Sequence, residues 1–279
     1  MSAIPGTEAD PLEGIVIPPK PQILVDLQSV GGDVDKAVEL IEQDIGISSS
    51  VLKLVNSPYY ALSTSVTSIK KAVILMGIEN IKSIVRGLTL RASMSESMQA
   101  KLREFWDSSM DVAKAASCIA GQTKVCTRDE AYTLGLFHNC GIPILMQKFP
   151  EYDEIIRMGY ADKSAGIVKL ERQAVRIDHA YIGYKLCKLW NLDSNLCRVI
   201  MHHHDGKKFF KTEKLADEVK FMGAVLMFAE HCAEVFKTLG CQEEDYAWMH
   251  VGSAVMDQLG ITEEGYQNIK EHVLESAFV

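Results

Sequence analysis

The sequence has seven cysteines and no Cys-x-x-Cys pair, so neither a disulfide frame nor a thiolate zinc ribbon can be built from it. Cys118, Cys126, Cys140, Cys187, Cys197, Cys232 and Cys241 are odd in number, and several fall on apolar helical faces, where a thiol serves as a small buried hydrophobe. Reduced, cytoplasmic usage is the expectation. No apolar run approaches the length of a membrane span, and no basic stretch followed by an apolar one marks a secretory leader. Cationic clusters are scarce: 29 Lys and Arg stand against 37 Asp and Glu, a formal charge of −8. That argues against phosphate-backbone binding as the main task, and no nucleic acid partner is expected. The local exception, Lys207-Lys208-Phe-Phe-Lys211, reads as a solvated loop past a helix C-terminus, with an RNA or DNA adaptor as the weaker alternative. P-loops, Gly-rich dinucleotide turns, internal repeats and coiled-coil heptads are absent. Proline is rare beyond the start, since Pro5, Pro11, Pro18, Pro19 and Pro21 account for five of the eight.

What remains is 47% apolar residues over 279 positions, enough for a sizeable core and two lobes. The apolar spacing is helical throughout, so an all-α fold is expected. Residues 1–21 read as a Pro-rich extended leader, docked loosely or disordered. In the following stretch Asp33 can cap a helix striped by Val34, Ala37, Val38 and Ile41. Ser48 to Val55 forms another, ended by Asn56-Ser57-Pro58. Ile69, Ala72, Val73 and Met76 close at Gly77, and Ile78, Ile81, Val85 and Leu88 continue. Near the end, Tyr246, Met249, Ser253 and Met256, then Tyr266, Ile269 and Val273, mark two further amphipathic helices whose faces, poor in Lys and Arg, predict core or partner contact in preference to a membrane.

Four inner stripes end or begin in a metal-type ligand. Thr127-Arg-Asp-Glu130 is a capping box that starts a helix in which Ala131, Leu134, Gly135 and His138 share one face. His179, Ile182, Gly183 and Leu186 form a second. Leu196, Val199, Ile200, His203 and His204 form a third, and Val219, Met222, Gly223, Leu226 and Glu230 a fourth. Four such helices predict one polar pocket inside a bundle.

The segments Gly135-Leu-Phe-His-Asn-Cys-Gly141, Asp178-His-Ala-Tyr-Ile-Gly183 with Trp190, and Ile200-Met-His-His-His204 resemble the HD superfamily of metal-dependent phosphohydrolases. More closely they resemble its eroded HD-related output domain branch, HDOD. Leu54-Val-Asn-Ser-Pro-Tyr-Tyr60 and Ile69-Lys-Lys-Ala-Val-Ile-Leu-Met-Gly77 resemble that branch's N-terminal helical lobe. The resemblance covers about residues 20 to 240 and implies a two-lobed arrangement: an N-terminal lobe over 22–95, an HD-like bundle over 96–240, and C-terminal helices over 241–279 packing on the bundle.

The resemblance also implies a departure in chemistry. The superfamily's His-Asp pair is His138-Asn139 here, its early histidine aligns with Ser108 after Phe105-Trp106, and its distant aspartate aligns with Glu230. Asparagine keeps the shape but loses the negative charge that offsets a cation, and a serine hydroxyl is a poorer ligand still. Without a held ion, no hydroxide is generated for phosphoester hydrolysis. The expectation is therefore no catalytic residue and no cofactor, with the histidines satisfied by core hydrogen bonds to one another, Asn139, Glu230 and backbone carbonyls. A divalent ion such as zinc on His179, His203 and His204, with His138 and Glu230, is the alternative. The implied function is a non-enzymatic signalling scaffold acting through a partner protein or small ligand, since no receiver or kinase pattern accompanies it. Residual phosphohydrolysis of a nucleotide or cyclic dinucleotide is the rival. Asn56, Ser57 and Tyr59 could line a partner groove between the lobes; a simpler role is a helix cap able to adopt αL at Asn56 and packing at Tyr59.

Overall fold

The computed structural model describes residues 11–56, 65–163 and 166–278, and every regular element among them is an α-helix. The chain opens with five helices that pack on one another: α1 (Gln22–Ser29), α2 (Val34–Gln43), α3 (Ile45–Val55), α4 (Ile69–Met76) and α5 (Ile78–Ala92). Asp33 caps α2 by accepting from the Lys36 amide. Asp44 caps α3 by accepting from the Ile47 amide, which starts that helix three residues before the predicted Ser48. A terminal oxygen that satisfies a free N–H there outweighs the modest helix propensity of the glycine and serines behind it.

Asn56 departs from its expected conformation. Its φ of −85° and ψ of 0° are right-handed, not αL. Its side chain explains why: Nδ2 donates to the Leu52 and Val66 carbonyls at 2.9 and 2.7 Å, and Oδ1 accepts from the Val66 amide at 2.7 Å. The amide thus links the end of α3 to Val66 and is engaged within the chain. Ser57 and Tyr59 lie outside the described residues.

Through α6 (Glu96–Lys101) the chain enters the long α7 (Arg103–Thr123), followed by α8 (Arg128–Phe137), α9 (Gly141–Lys148), α10 (Tyr152–Ala161) and α11 (Ile167–Val175). The bundle continues with α12 (His179–Leu189), α13 (Ser194–His202), α14 (Lys207–Lys211), α15 (Asp217–Cys232), α16 (Val235–Thr238), α17 (Tyr246–Leu259) and α18 (Glu263–Ala277). Leu134, Ile182, Leu186, Val199, Ile200 and Leu226 are all fully buried. Each such side chain contributes about 1.5–3 kcal/mol relative to exposure.

Two glycines let the backbones approach. A Cβ on Gly135 would stand 2.6 Å from the Ala113 Cα, which sets α8 directly against α7. A Cβ on Gly141 would stand 2.0 Å from the His179 carbonyl oxygen, so the turn after His138-Asn139 lies against the start of α12. Where α5 packs on α8, Ser83 and Thr133 share a buried hydrogen bond of 2.7 Å.

Three sequence expectations are corrected here. Residues from 11 onward are held to the bundle more firmly than a loose leader: Leu12, Ile15 and Ile17 pack on the core, and the buried Trp190 indole donates to the Pro18 carbonyl at 3.0 Å. Lys207–Lys211 is a short helix, not a loop, because Phe209 between the lysines is fully buried against Gly223. The predicted inner stripe of α17 is rotated: Met249 is 64% exposed, and Val251, Gly252, Val255 and Leu259 face inward. Stacking of Trp248 on His231, at 4.4 Å and 11°, fixes that rotation.

Candidate functional site

The histidine pocket is assembled by ordinary helix ends. The Thr127–Glu130 capping box starts α8, which delivers His138 one residue past its last turn. Asp178 caps α12 by accepting from the Tyr181 amide, placing His179 at the first position of that helix. Asp193 caps α13, whose far end carries His203 and His204. Glu230 sits in the last turns of α15.

These five side chains converge. Ring centroids of His203 and His204 are 4.0 Å apart, those of His179 and His204 4.9 Å, those of His179 and His203 5.5 Å, and those of His138 and His203 5.8 Å. Glu230 Oε1 lies 3.4 Å from His138 Nε2. Asn139 is buried beside them. Ser108, also buried, is engaged elsewhere: its oxygen accepts from the Thr238 hydroxyl of α16 at 3.3 Å.

The outer nitrogens are fixed by the backbone. His138 Nδ1 donates to the Gly135 carbonyl at 2.6 Å and His203 Nδ1 to the Ile200 carbonyl at 2.7 Å. This leaves both Nε2 atoms pointing inward, and neither has a hydrogen-bond partner; the Asn139 Oδ1 likewise has none. A bare His138 Nε2 facing a carboxylate at 3.4 Å is two acceptors in contact, which a proton or a cation between them would resolve.

His179 is held differently. Its Nδ1 lies 2.7 Å from Glu171 Oε1 and 2.9 Å from Oε2, and its amide donates to the same carboxylate. Glu171 is fully buried and also accepts from the Tyr152 hydroxyl. Burial opposes the imidazolium, but the Glu171 carboxylate, assisted by Asp178 and Glu230, outweighs it and raises the His179 pKa. Burial pushes His203 down to about 3, and burial with the neighbouring imidazoles carries His204 well below its ordinary value. For Glu230, burial works upward, yet His138 and the other histidines hold the carboxyl below its usual range.

Glu171 and Tyr152 were not marked by sequence reasoning. The available signal was a glutamate at i+4 from Ile167 on the inner face of α11, where a carboxylate needs a buried partner. Carboxylate–imidazole pairs of this kind orient metal-ligating histidines.

The donor set of the pocket fits a divalent ion. One ligand atom from each of His179, His203 and His204 lies within 4.8 Å of the others. Three imidazole nitrogens, two of them on rings locked by hydrogen bonds at the opposite ring atom, suit a borderline ion such as zinc with one position left open, the ion displacing any proton on His179. Glu171 also fits, since it holds the His179 ring from behind as a metal ligand would be held.

The HDOD domain family is matched over residues 17–206, and the chain belongs to that family. A Treponema pallidum protein is 24% identical over 194 residues, 68% of this chain and 38% of the relative. YuxH of Bacillus subtilis is 25% identical over 140 residues, 48% of this chain and 34% of the relative. The chain thus spans little more than a third of the length of these relatives. Among solved structures, an HDOD domain protein of unknown function from Geobacter sulfurreducens is similar with a TM-score of 0.60 at 20% identity, covering 96% of each chain. A Shewanella amazonensis protein given a phosphohydrolase name has a TM-score of 0.70 at 20% identity over 96% of this chain and 94% of its own. A Marinobacter aquaeolei protein named for signal transduction reaches 0.71 at 18% identity, over 97% of this chain and 59% of its own. At these identities the likeness establishes the fold. No helix among the described residues is long and apolar enough to cross a membrane.

Proposed function

We propose that the chain is a non-enzymatic regulatory module in bacterial-type signal transduction, acting through a partner protein or a small ligand. The observation that carries this reading is Asn139, a buried neutral amide beside His138 where the superfamily's chemistry uses a carboxylate. An amide neither offsets a cation nor bridges two, and Ser108, at the position of another ligand, has its oxygen turned to Thr238. The signal transduction name of the similarly folded Marinobacter protein points the same way. The test is incubation of metal-reconstituted protein with manganese, magnesium or zinc and a panel of nucleotides, cyclic mononucleotides and cyclic dinucleotides. No turnover is expected. Turnover above roughly one per second, abolished by His138→Ala, would establish the rival reading as a residual phosphohydrolase.

A second reading concerns the ion alone. The convergence of His179, His203 and His204 favours retention of zinc without hydrolysis. When bound, such an ion supplies Lewis acidity to an oxygen ligand. In this chain Glu171 would hold the His179 ring, and the Ile200 carbonyl would hold that of His203. Metal content of the purified protein, with and without His203→Ala, distinguishes a zinc-bearing module from one whose histidines are satisfied by protons.

A further inference from the structure

The outward face of α11 is basic in a chain whose formal charge is −8. Lys169, Arg172 and Arg176, the last being the residue that ends the helix, follow one another at i, i+3 and i+7 and are all exposed. They form a row about 10 Å long. The one acid of the helix, Glu171, is turned the other way and buried on His179. Arg172 is bonded to Asp178 at 2.7 Å, whereas among the described residues Lys169 and Arg176 form no ion pair.

Hollows flank this row. A cavity of about 800 Å³ opens between α11 and α17, and a smaller one of about 310 Å³ lies where α11 ends, bounded by Leu12 and by Tyr181 of α12. Arg172 lines both, Lys169 the larger and Arg176 the smaller, so the cations join the two hollows. Much of the lining is apolar, with Ile167 and Tyr246 in the larger hollow and Leu12 and Ile177 in the smaller. The carboxylates on these walls are already engaged. Asp178 holds Arg172, Asp245 lies 2.9 Å from His231, Asp205 lies 2.9 Å from His202, Glu230 faces His138, and Asp162 has an interaction of its own.

Cations lacking carboxylates, set between apolar hollows, complement a ligand that carries carboxylates and apolar side chains together. An extended acidic peptide does so: alternate side chains stand roughly 7 Å apart, so a few residues span the row and still leave an apolar group over each hollow. A nucleic acid is a poorer fit, because the net negative charge repels a polyanion and the apolar walls offer nothing to phosphates.

We propose that the outward face of α11 docks an acidic segment of a partner protein, its carboxylates on Lys169, Arg172 and Arg176 and its apolar side chains in the two hollows. The inference rests on the reading of the chain as a module that acts through a partner, and supplies that partner's chemistry. Docking there reaches the histidine pocket by a short route. Asp178, the partner of Arg172, also caps α12 and so places His179. A carboxylate that draws Arg172 away acts on the start of that helix.

The test pans the full chain against a displayed library of random peptides of about ten residues, and selected peptides are then titrated by fluorescence polarisation. Enrichment of sequences that combine two or more Asp or Glu with aromatic or aliphatic residues is expected. Their Kd should be roughly 10 μM or tighter and should weaken at least fivefold between about 50 and 300 mM salt. Lys169→Glu combined with Arg176→Gly should lose at least tenfold in affinity. That variant should keep its Tm, because an acid in the first turn favours α11 and glycine suits the left-handed conformation of position 176, where φ is 63°. Lys211→Glu, whose lysine lines neither hollow, should bind as wild type does. Failure to enrich acidic sequences, or equal affinity of the double variant, would overturn the inference and leave the absence of turnover, measured separately on nucleotides, as it stands. Tighter binding of oligouridylate than of the selected peptides would overturn it in favour of a nucleic acid surface.

Discussion

Replacing Glu171 by glutamine removes one charge from a fully buried network and leaves the shape intact. The carboxylate accepts from the Tyr152 hydroxyl, from the His179 amide at 3.2 Å and from His179 Nδ1 at 2.7 Å. Glutamine turns one of those acceptors into an NH2 donor aimed at a donor. A hydrogen bond to a charged group contributes about 1.5–3 kcal/mol, and breaking a buried charged pair costs somewhat more. A loss of about 3 kcal/mol is therefore expected, or roughly 6–12 °C in Tm for a chain of this size. The pH dependence makes the test specific. His179 has its folded pKa raised, so its contribution is fully present below the unfolded value of about 6.5 and is lost as pH rises through the folded value. His203 and His204 are lowered, and their contributions, present above the unfolded value, are lost as pH falls. Burial, the largest cause for those two, is the same in both proteins, so the difference between wild type and Glu171→Gln reports chiefly on His179. Urea denaturation across pH should show that difference largest near pH ~6 and smaller near pH ~9. A loss below about 1 kcal/mol, or a difference that grows with pH, would refute the assignment of Glu171 as the partner of His179.

Asn139→Asp combined with Ser108→His should bind manganese or zinc more tightly than the parent in a calorimetric titration; unchanged affinity would mean that position 108 does not reach the pocket. Gly141→Ala should destabilise by about 3 kcal/mol or more, because its Cβ would collide with the His179 carbonyl at 2.0 Å, a backbone atom that cannot rotate away. Thermal melting would show it, and a Tm within a degree of wild type would contradict the packing of α9 on α12. Trp190→Phe removes the donor to the Pro18 carbonyl; a loss of about 1 kcal/mol and faster proteolytic cleavage within residues 11–21 are expected, and unaltered cleavage would show that the indole does not anchor that segment.

The sequence by itself determined the all-α class and several helix starts, because these depend on local physics. Asp33, Thr127 with Glu130, and Asp178 each cap the helix that their position announces, and a terminal N–H needs its acceptor whatever the rest of the chain does. The 3.6-residue period likewise turned His138, His179, His203 and Glu230 to the inner faces of their helices. Tertiary structure decided what period and capping cannot carry. Which way the Asn56 side chain turns depends on Val66, ten residues away. The rotation of α17 depends on His231, across the bundle. Glu171 became the partner of His179 only because α11 packs beside the start of α12. A carboxylate on an apolar stripe announces that it will need a partner; the packing of helices distant in sequence determines which one it gets.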